Sequence, residues 1–129
     1  MVTVQPSASV AATGLGIRYI GEHCYALSGI ERDAGTGGAN TTLLDFESGA
    51  GYIRGKLDFS NTSSGGQDVY FQLLFNEIEV IDLKEGSASL VPFKFDILIP
   101  PRTKVVAQWG SAGTFDGNCF LVGRVYGAE

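Results

Sequence analysis

Residues 91–126, VPFKFDILIPPRTKVVAQWGSAGTFDGNCFLVGRVY, decide the fold class of this chain. Two runs of alternating apolar residues are separated by Pro100-Pro101, and a glycine-rich loop precedes a last apolar run. Alternation with a period of two is typical of strands that bury one face, and proline cannot donate to a strand ladder. The stretch therefore predicts three β-strands, with residues 110–118 as a loop between the last two. It contains no catalytic constellation.

The same alternation appears upstream. Residues 52–59 place Ile53, Leu57 and Phe59 on one face and charged residues on the other, and residues 77–83 alternate Ile78 with acidic neighbours. No segment sustains a helical period, so we expect no helix. Ten residues that point inward in these alternating runs should form the core: Ile53, Leu57, Phe59, Phe71, Leu73, Phe93, Phe95, Ile97, Val105 and Trp109.

Eight or nine short strands at regular spacing predict an all-β fold, and eight strands in two sheets is the jelly-roll number. We therefore expect a jelly-roll-like β-sandwich of about eight strands over residues 15–129. An immunoglobulin-like sandwich is the close alternative, but its Cys…Trp…Cys order is absent because Trp109 precedes Cys119.

Residues 1–14, MVTVQPSASVAATG, are small, uncharged and aperiodic, which predicts a flexible or extended N-terminal arm. A segment of this kind can lie across a partner surface and become ordered on binding. The candidate partner-binding residues in the arm are Val4, Gln5, Pro6 and Val10.

Residues 69–75, VYFQLLF, are nearly continuously apolar. A strand with one face in water would alternate more clearly, so this strand is expected to be covered on both faces. Another subunit is one candidate for the second cover, and the pattern therefore favours a homo-oligomer.

Composition restricts the partners that this chain can bind. Its net charge is −5, with no basic stripe in the sequence, which argues against nucleic-acid binding. No apolar run approaches the roughly 18 residues of a membrane helix, so no membrane partner is expected. The N-terminal stretch also lacks the charged and apolar regions of a signal peptide, so we expect no export signal and synthesis in a cytoplasm.

Cysteine and histidine offer few candidates for a site. Cys24 and Cys119 both fall in predicted strands, and without export two buried free thiols are favoured over a disulfide. His23 is the only histidine, which excludes a His-based triad or a multi-histidine metal site within one chain. We expect it to be structural or solvent-facing.

Acidic residues suggest two further sites, but in both cases an ordinary structural role of the residues is favoured over the functional one. Glu77 and Glu79 would project from one strand face about 7 Å apart, a spacing that could suit a glycosidase pair, but alternating acids usually mark a solvated face. The oxygen-rich residues Asp116-Gly117-Asn118, and those between Asp33 and Asn40, could bind calcium, but Asp-Gly is first of all turn chemistry. No catalytic residue, cofactor or metal ligand is assigned.

Two segments resemble small structural proteins of tailed bacteriophages. They are ILIPPRTKV, residues 97–105, and FLVGRVYG, residues 120–127. The pattern is similar to that of jelly-roll capsid decoration (cement) proteins, and it covers about the last forty residues. The resemblance implies a virion protein without enzymatic activity. Such a protein forms a homotrimer on the capsid exterior and contacts the major capsid protein. The alternative is a receptor- or carbohydrate-binding jelly-roll module of a phage tail or spike.

Overall fold

The computed structural model describes residues 16–34, 38–62, 68–85 and 93–127, and these residues contain no helix. Ten strands account for most of them, which confirms the all-β prediction. The strands are β1 Ile17–Ile20, β2 His23–Leu27, β3 Glu31–Ala34, β4 Thr41–Glu47, β5 Tyr52–Asn61, β6 Val69–Phe75, β7 Ile78–Glu85, β8 Phe93–Ile99, β9 Lys104–Ser111 and β10 Thr114–Tyr126.

The strands form two antiparallel sheets that pack face to face as a sandwich. One sheet has the order β1-β2-β10-β5-β8, with β3 also paired to β10, and we call it the β10 sheet. The other has the order β4-β9-β6-β7, and we call it the β9 sheet. Side chains alternate along each strand, so one face of each sheet lines the common core and the other faces outward.

The strand pairing is nested. β2 pairs with β10, β4 with β9, β5 with β8 and β6 with β7. The earlier a strand lies in this set, the later in the chain its partner lies. A long hairpin rolled into two four-stranded sheets produces this arrangement, and the order is consistent with a jelly roll. β1 and β3 are additions to the β10 sheet outside that set of eight.

Strands β2 and β3 follow the same edge of β10 and are interrupted by residues 28–30. Gly29 adopts a φ of 72°, a left-handed conformation that favours glycine. Ser28 restores the ladder across the gap: its N–H donates to the Cys119 carbonyl at 3.0 Å, and its Oγ accepts from the Cys119 N–H at 2.8 Å. The buried backbone of β10 therefore keeps its hydrogen-bond partners where β2 ends.

Aromatic rings fill the centre of the sandwich. Phe59 of β5 stacks on Phe71 of β6 with ring centroids 4.6 Å apart, and Trp109 of β9 lies 5.8 Å from the Phe59 ring. Gly117 makes room for Trp109, because a Cβ there would come within 2.5 Å of the indole. These contacts join the two sheets.

Seven of the ten predicted core residues are fully buried, as expected: Ile53, Leu57, Phe59, Phe71, Leu73, Val105 and Trp109. The other three point inward but stay half-buried: Phe93, Phe95 and Ile97. All three lie on β8, which is the last strand of the β10 sheet and has no further strand beside it among the described residues. These three residues therefore pack on the core from the predicted face, but at its edge and not in its buried centre.

One predicted boundary and one predicted alternation were wrong. The predicted loop at residues 110–118 is reduced to a bend at 112–113, because β9 runs on to Ser111 and β10 begins at Thr114. Residues 114–117 are strand because they pair with β3. In β7 the simple alternation fails at a register shift opposite Leu73 and Leu74, where the ladder skips Val80.

The apolar strand β6 is only partly covered on its outward side. Tyr70, Gln72 and Leu74 are half-buried there. Gln72 accepts a hydrogen bond from Gln108 Nε2 at 2.8 Å and donates to Glu79 at 3.2 Å, so a polar network occupies part of this surface. A second subunit over β6 remains a prediction.

The central and flanking aromatic residues should differ in their contribution to stability. We expect Phe59→Ala to lower the free energy of unfolding by about 3–5 kcal/mol, the usual cost of truncating a buried aromatic ring. Phe95→Ala should lower the free energy of unfolding clearly less, because Phe95 is half-buried on an edge strand and water can fill the space that its ring leaves. Urea unfolding of both variants measures the difference. Equal losses of stability in the two variants would contradict the placement of β8 at an open edge of the β10 sheet.

Candidate interaction surface

The outward face of the β10 sheet exposes large apolar side chains at its centre. Leu27, Phe120 and Val122 are 46%, 41% and 44% exposed. Leu27 of β2 lies directly opposite Phe120 of β10, and Val122 follows two residues later on the same face. We call these three residues the outer patch. Contiguous apolar groups exposed in this way, with polar residues around them, are a candidate site for contact with a partner.

Asp58 of β5 lies directly opposite Phe120 of the outer patch. Five basic side chains lie around the outer patch on the same face of the sheet. They are Arg18 on β1, Arg54 and Lys56 on β5, Lys94 on β8 and Arg124 on β10. Arg54 lies directly opposite Arg124 in the β5–β10 ladder, and His23 flanks Arg124 on its other side. Like charges placed opposite one another are destabilising, so this row of bases has a cost for the isolated domain.

Two of these bases already have acidic neighbours. Lys56 Nζ lies 2.9 Å from Asp96, and Arg124 lies 3.1 Å from Glu22. The hydrogen bond to Asp96 raises the pKa of Lys56. Both pairs are solvent-exposed, and pairs of this kind contribute little to folding. Their charges therefore remain available to a partner surface.

Aromatic residues border one end of this face. Tyr52 and Tyr126 stack with ring centroids 5.4 Å apart, and the Arg124 guanidinium lies 5.7 Å from the Tyr126 ring centroid. Tyr52 is 38% exposed. The tyrosine pair packs beside the Arg124 side chain and limits the conformations that it can adopt.

The outward face of the β9 sheet has the opposite charge. Asp45 and Glu47 lie outward on β4, opposite Val106 and Lys104 of β9. Glu79 and Asp82 lie outward on β7, and Lys84 is on the same side of that strand. The sandwich is therefore basic and apolar on one outer face and mainly acidic on the other.

The structure separates the two glutamates that the sequence placed on one strand face. Glu77 lies in the β6–β7 turn, where Asn76 and Glu77 adopt φ values of 51° and 71°, and β7 begins only at Ile78. Glu79 is in the strand and accepts a hydrogen bond from Gln72. The shared-face geometry predicted for a carboxylate pair is therefore wrong.

The oxygen-rich segment around Asp116 is strand and does not form a ligand loop. Asp116 and Gly117 pair with Arg32 and Glu31 of β3. The described residues contain no group of three or more His, Cys, Asp or Glu side chains that could hold a metal ion. His23 is exposed at the start of β2, as expected for a solvent-facing histidine.

Both cysteines are free and buried, in agreement with the sequence analysis. Burial raises the pKa of Cys24 to about 11, although a backbone hydrogen bond from Gly123 opposes this shift. Burial raises the pKa of Cys119 further still. A thiol is nucleophilic only as the thiolate, so neither cysteine is suited to covalent chemistry at neutral pH.

The outer patch was missed in the sequence, although a signal for it is present. Residues 119–122, CFLV, are continuously apolar, just as residues 69–75 are. Because Cys119 and Leu121 are buried, Phe120 and Val122 must face outward on the alternating strand. The arm residues named as candidates, Val4, Gln5, Pro6 and Val10, lie outside the described residues.

Comparison with known proteins does not supply a family. No protein-family model matches the chain, and no curated protein is significantly similar to it. Among the described residues there is no helix long and apolar enough to cross a membrane. The outer patch and its basic border are therefore the structural basis for a functional proposal.

The burial of both thiols can be tested directly. In native protein at pH 8 we expect a thiol reagent such as DTNB to react with Cys24 and Cys119 only slowly, because both are buried and protonated. In guanidinium chloride both of the 2 cysteines in the chain should react at once without a reductant. Fast labelling of native protein would contradict the burial, and loss of reactive thiols in denaturant would indicate a disulfide.

Proposed function

We propose that this chain is a structural virion protein that decorates and stabilises a phage capsid, binding the outer surface of the shell as an oligomer. The observation that carries the proposal is the outer patch, in which exposed Leu27, Phe120 and Val122 form an apolar centre within a basic border. A surface of this kind gains free energy when another protein covers it, by roughly 25 cal/mol per Å² of apolar area removed from water.

The segments that resemble decoration proteins have identifiable roles in the structure. Residues 97–105 form the corner at which the chain leaves β8 for β9, and thus passes from one sheet to the other. Ser48 holds this corner: its Oγ donates to the Pro100 carbonyl at 2.7 Å and accepts from the Thr103 N–H at 2.9 Å. This corner connects the two sheets of the sandwich, as a jelly roll, the fold that the resemblance implies, requires.

The second resembling segment includes part of the patch itself. Phe120, Val122 and Arg124 alternate outward on β10, and the residues between them are buried. The similarity to decoration proteins therefore includes exposed side chains that the fold does not need.

In the proposed assembly the chain has no enzymatic role, and its activity is to add buried area at junctions between capsid subunits. A homotrimer on the capsid exterior is part of the proposal, with the trimer number taken from the resemblance. The N-terminal arm, residues 1–14, is proposed to help attach the protein to the major capsid protein. Neither nucleic acid nor a membrane is a proposed partner.

A receptor- or carbohydrate-binding module is the second candidate function. The observation that favours it is the exposed Tyr52 beside Tyr126 and Arg124, because aromatic and charged groups together can bind a sugar ring. Against it, the two tyrosine rings stack on each other, which leaves less ring face free for a ligand. A glycan array would distinguish this module from a shell protein.

The outer patch should be required for capsid decoration. We expect Phe120→Thr/Val122→Thr to weaken binding to capsids that lack their decoration protein by at least about tenfold, because two apolar contacts are lost while threonine retains β-propensity. Val80→Thr on β7 is the matched control, since Val80 is 48% exposed outside the patch. Sedimentation of protein with capsids measures binding, and capsid melting measures stabilisation.

The two candidate functions give different results in this experiment. Wild-type protein that binds capsids and raises their melting temperature supports decoration. Protein that binds glycans and leaves capsid melting unchanged would contradict it. Deletion of residues 2–14 tests the arm separately, because undiminished capsid binding by the truncated protein would exclude a role for the arm.

A further inference from the structure

The two outer faces of the sandwich carry charges of opposite sign. Among the side chains that the structure describes, five basic and three acidic ones lie outward on the β10 sheet, namely Arg18, Arg54, Lys56, Lys94, Arg124, Asp58, Asp96 and Asp116. Outward on the β9 sheet are four acidic and two basic side chains, namely Asp45, Glu47, Glu79, Asp82, Lys84 and Lys104. The net charge of −5 is a sum over the whole chain and does not show this separation of charges.

The distance between the two charged layers decides which charge a partner experiences. Packed sheets lie about 10 Å apart, and outward side chains extend the separation of their charges to roughly 20 Å. The Debye length at physiological ionic strength is only about 8 Å. A surface that touches the β10 sheet therefore interacts mainly with the basic face. The net charge of the chain does not describe this contact.

The row formed by His23, Arg124 and Arg54 is the most specific feature of the basic face. The three side chains lie on neighbouring strands at directly opposed positions. Among the described residues Arg54 forms no ion pair, while Arg124 has only the exposed Glu22. Two adjacent guanidinium groups can bind a carboxylate with paired hydrogen bonds, and a bound carboxylate would relieve their mutual repulsion.

We infer that the outer patch docks on a protein surface that carries carboxylates around an apolar centre, with a partner carboxylate held between Arg54 and Arg124. The chain then attaches with its β10 sheet toward the partner and its acidic β9 sheet toward solvent. This inference rests on the proposed function, because it states the partner chemistry of the same patch. The net charge of −5 taken alone would instead favour a basic or mixed-charge partner.

A protein partner fits the face better than a nucleic acid does. Leu27 and Val122 are aliphatic and offer no ring on which a base could stack, Tyr25 opposite Val122 is half-buried, and the exposed Tyr52 lies only at one end of the face. A long polyanion would also extend beyond the basic face toward acidic residues of the chain, where it would be repelled. Carboxylates on a folded surface can instead match individual bases of the border.

Lysines on the two faces provide an internal control for the direction of docking. Lys56 and Lys94 lie on the β10 sheet, whereas Lys84 and Lys104 lie outward on the β9 sheet. A carbodiimide couples lysine amines to carboxylates in direct contact. With decorated capsids we expect Lys56 and Lys94 to be coupled to carboxylates of the shell protein. Coupling through Lys84 or Lys104 instead would overturn the proposed direction.

A carboxymethyl-coated sensor surface at pH 7 tests the carboxylate preference without any capsid. We expect wild-type protein to bind it and Arg54→Gln/Arg124→Gln to bind roughly tenfold more weakly, as for loss of charge at a contact. Lys84→Gln/Lys104→Gln removes equal charge from the other face and should bind as the wild type does. Lys56→Gln/Lys94→Gln is a second variant of the basic border if the arginine variant does not fold.

The outcomes separate this inference from the proposed function. Failure to decorate capsids together with patch-dependent binding to carboxymethyl groups removes the proposed function and supports the carboxylate preference. Capsid decoration without any effect of the arginine or lysine variants of the β10 sheet, on either capsids or the carboxymethyl surface, overturns the inference alone. Tighter patch-dependent binding to a single-stranded oligonucleotide than to the carboxymethyl surface would also overturn it, in favour of a nucleic-acid partner.

Discussion

The pairing of β10 with its neighbours is the constraint on which the rest of this structure depends. β10 pairs with β5 along ten consecutive positions on one side, and with β2 and β3 in succession on the other. Strand β1 reaches the sheet only through β2, and β8 only through β5. A strand late in the described chain therefore determines the order of the early ones, and most contacts of the β10 sheet are distant in sequence. Folding of such a topology requires closure of long loops before the stabilising contacts can form.

The close approach of β5 and β10 shows how strictly this pairing is specified. Gly55 and Gly123 lie directly opposite each other in the ladder. A Cβ on Gly55 would come within 2.3 Å of the Val122 carbonyl oxygen, and one on Gly123 within 2.7 Å of Ile53. A one-residue slip would place side chains into this contact and would turn every apolar residue of β10 to the opposite face. The glycine pair thus excludes alternative registers and fixes which side chains point outward.

The fold could be predicted from the sequence wherever a strand buries one face. Ile53, Leu57 and Phe59 alternate with charged residues, and their burial follows from the period alone. The prediction failed where tertiary pairing changed a local pattern. Asp116-Gly117 has turn chemistry, yet it is strand because β3 supplies ladder partners. The Glu77–Glu79 pair was lost because positive φ values at Asn76 and Glu77 end the strand pattern in a turn.

The candidate surface could be predicted less well, because it depends on which strands are neighbours. Arg54 and Arg124 are 70 positions apart, and no local pattern shows that they face each other across one ladder. The same holds for Leu27 and Phe120, which meet only because β2 pairs with β10. Net charge is a sum over the chain and contains no information about faces. In a two-layer sandwich the layers are separated by more than the screening length, so each face interacts with its partners independently. The partner chemistry of such a protein is therefore a property of its strand order, and it becomes visible only when the register is known.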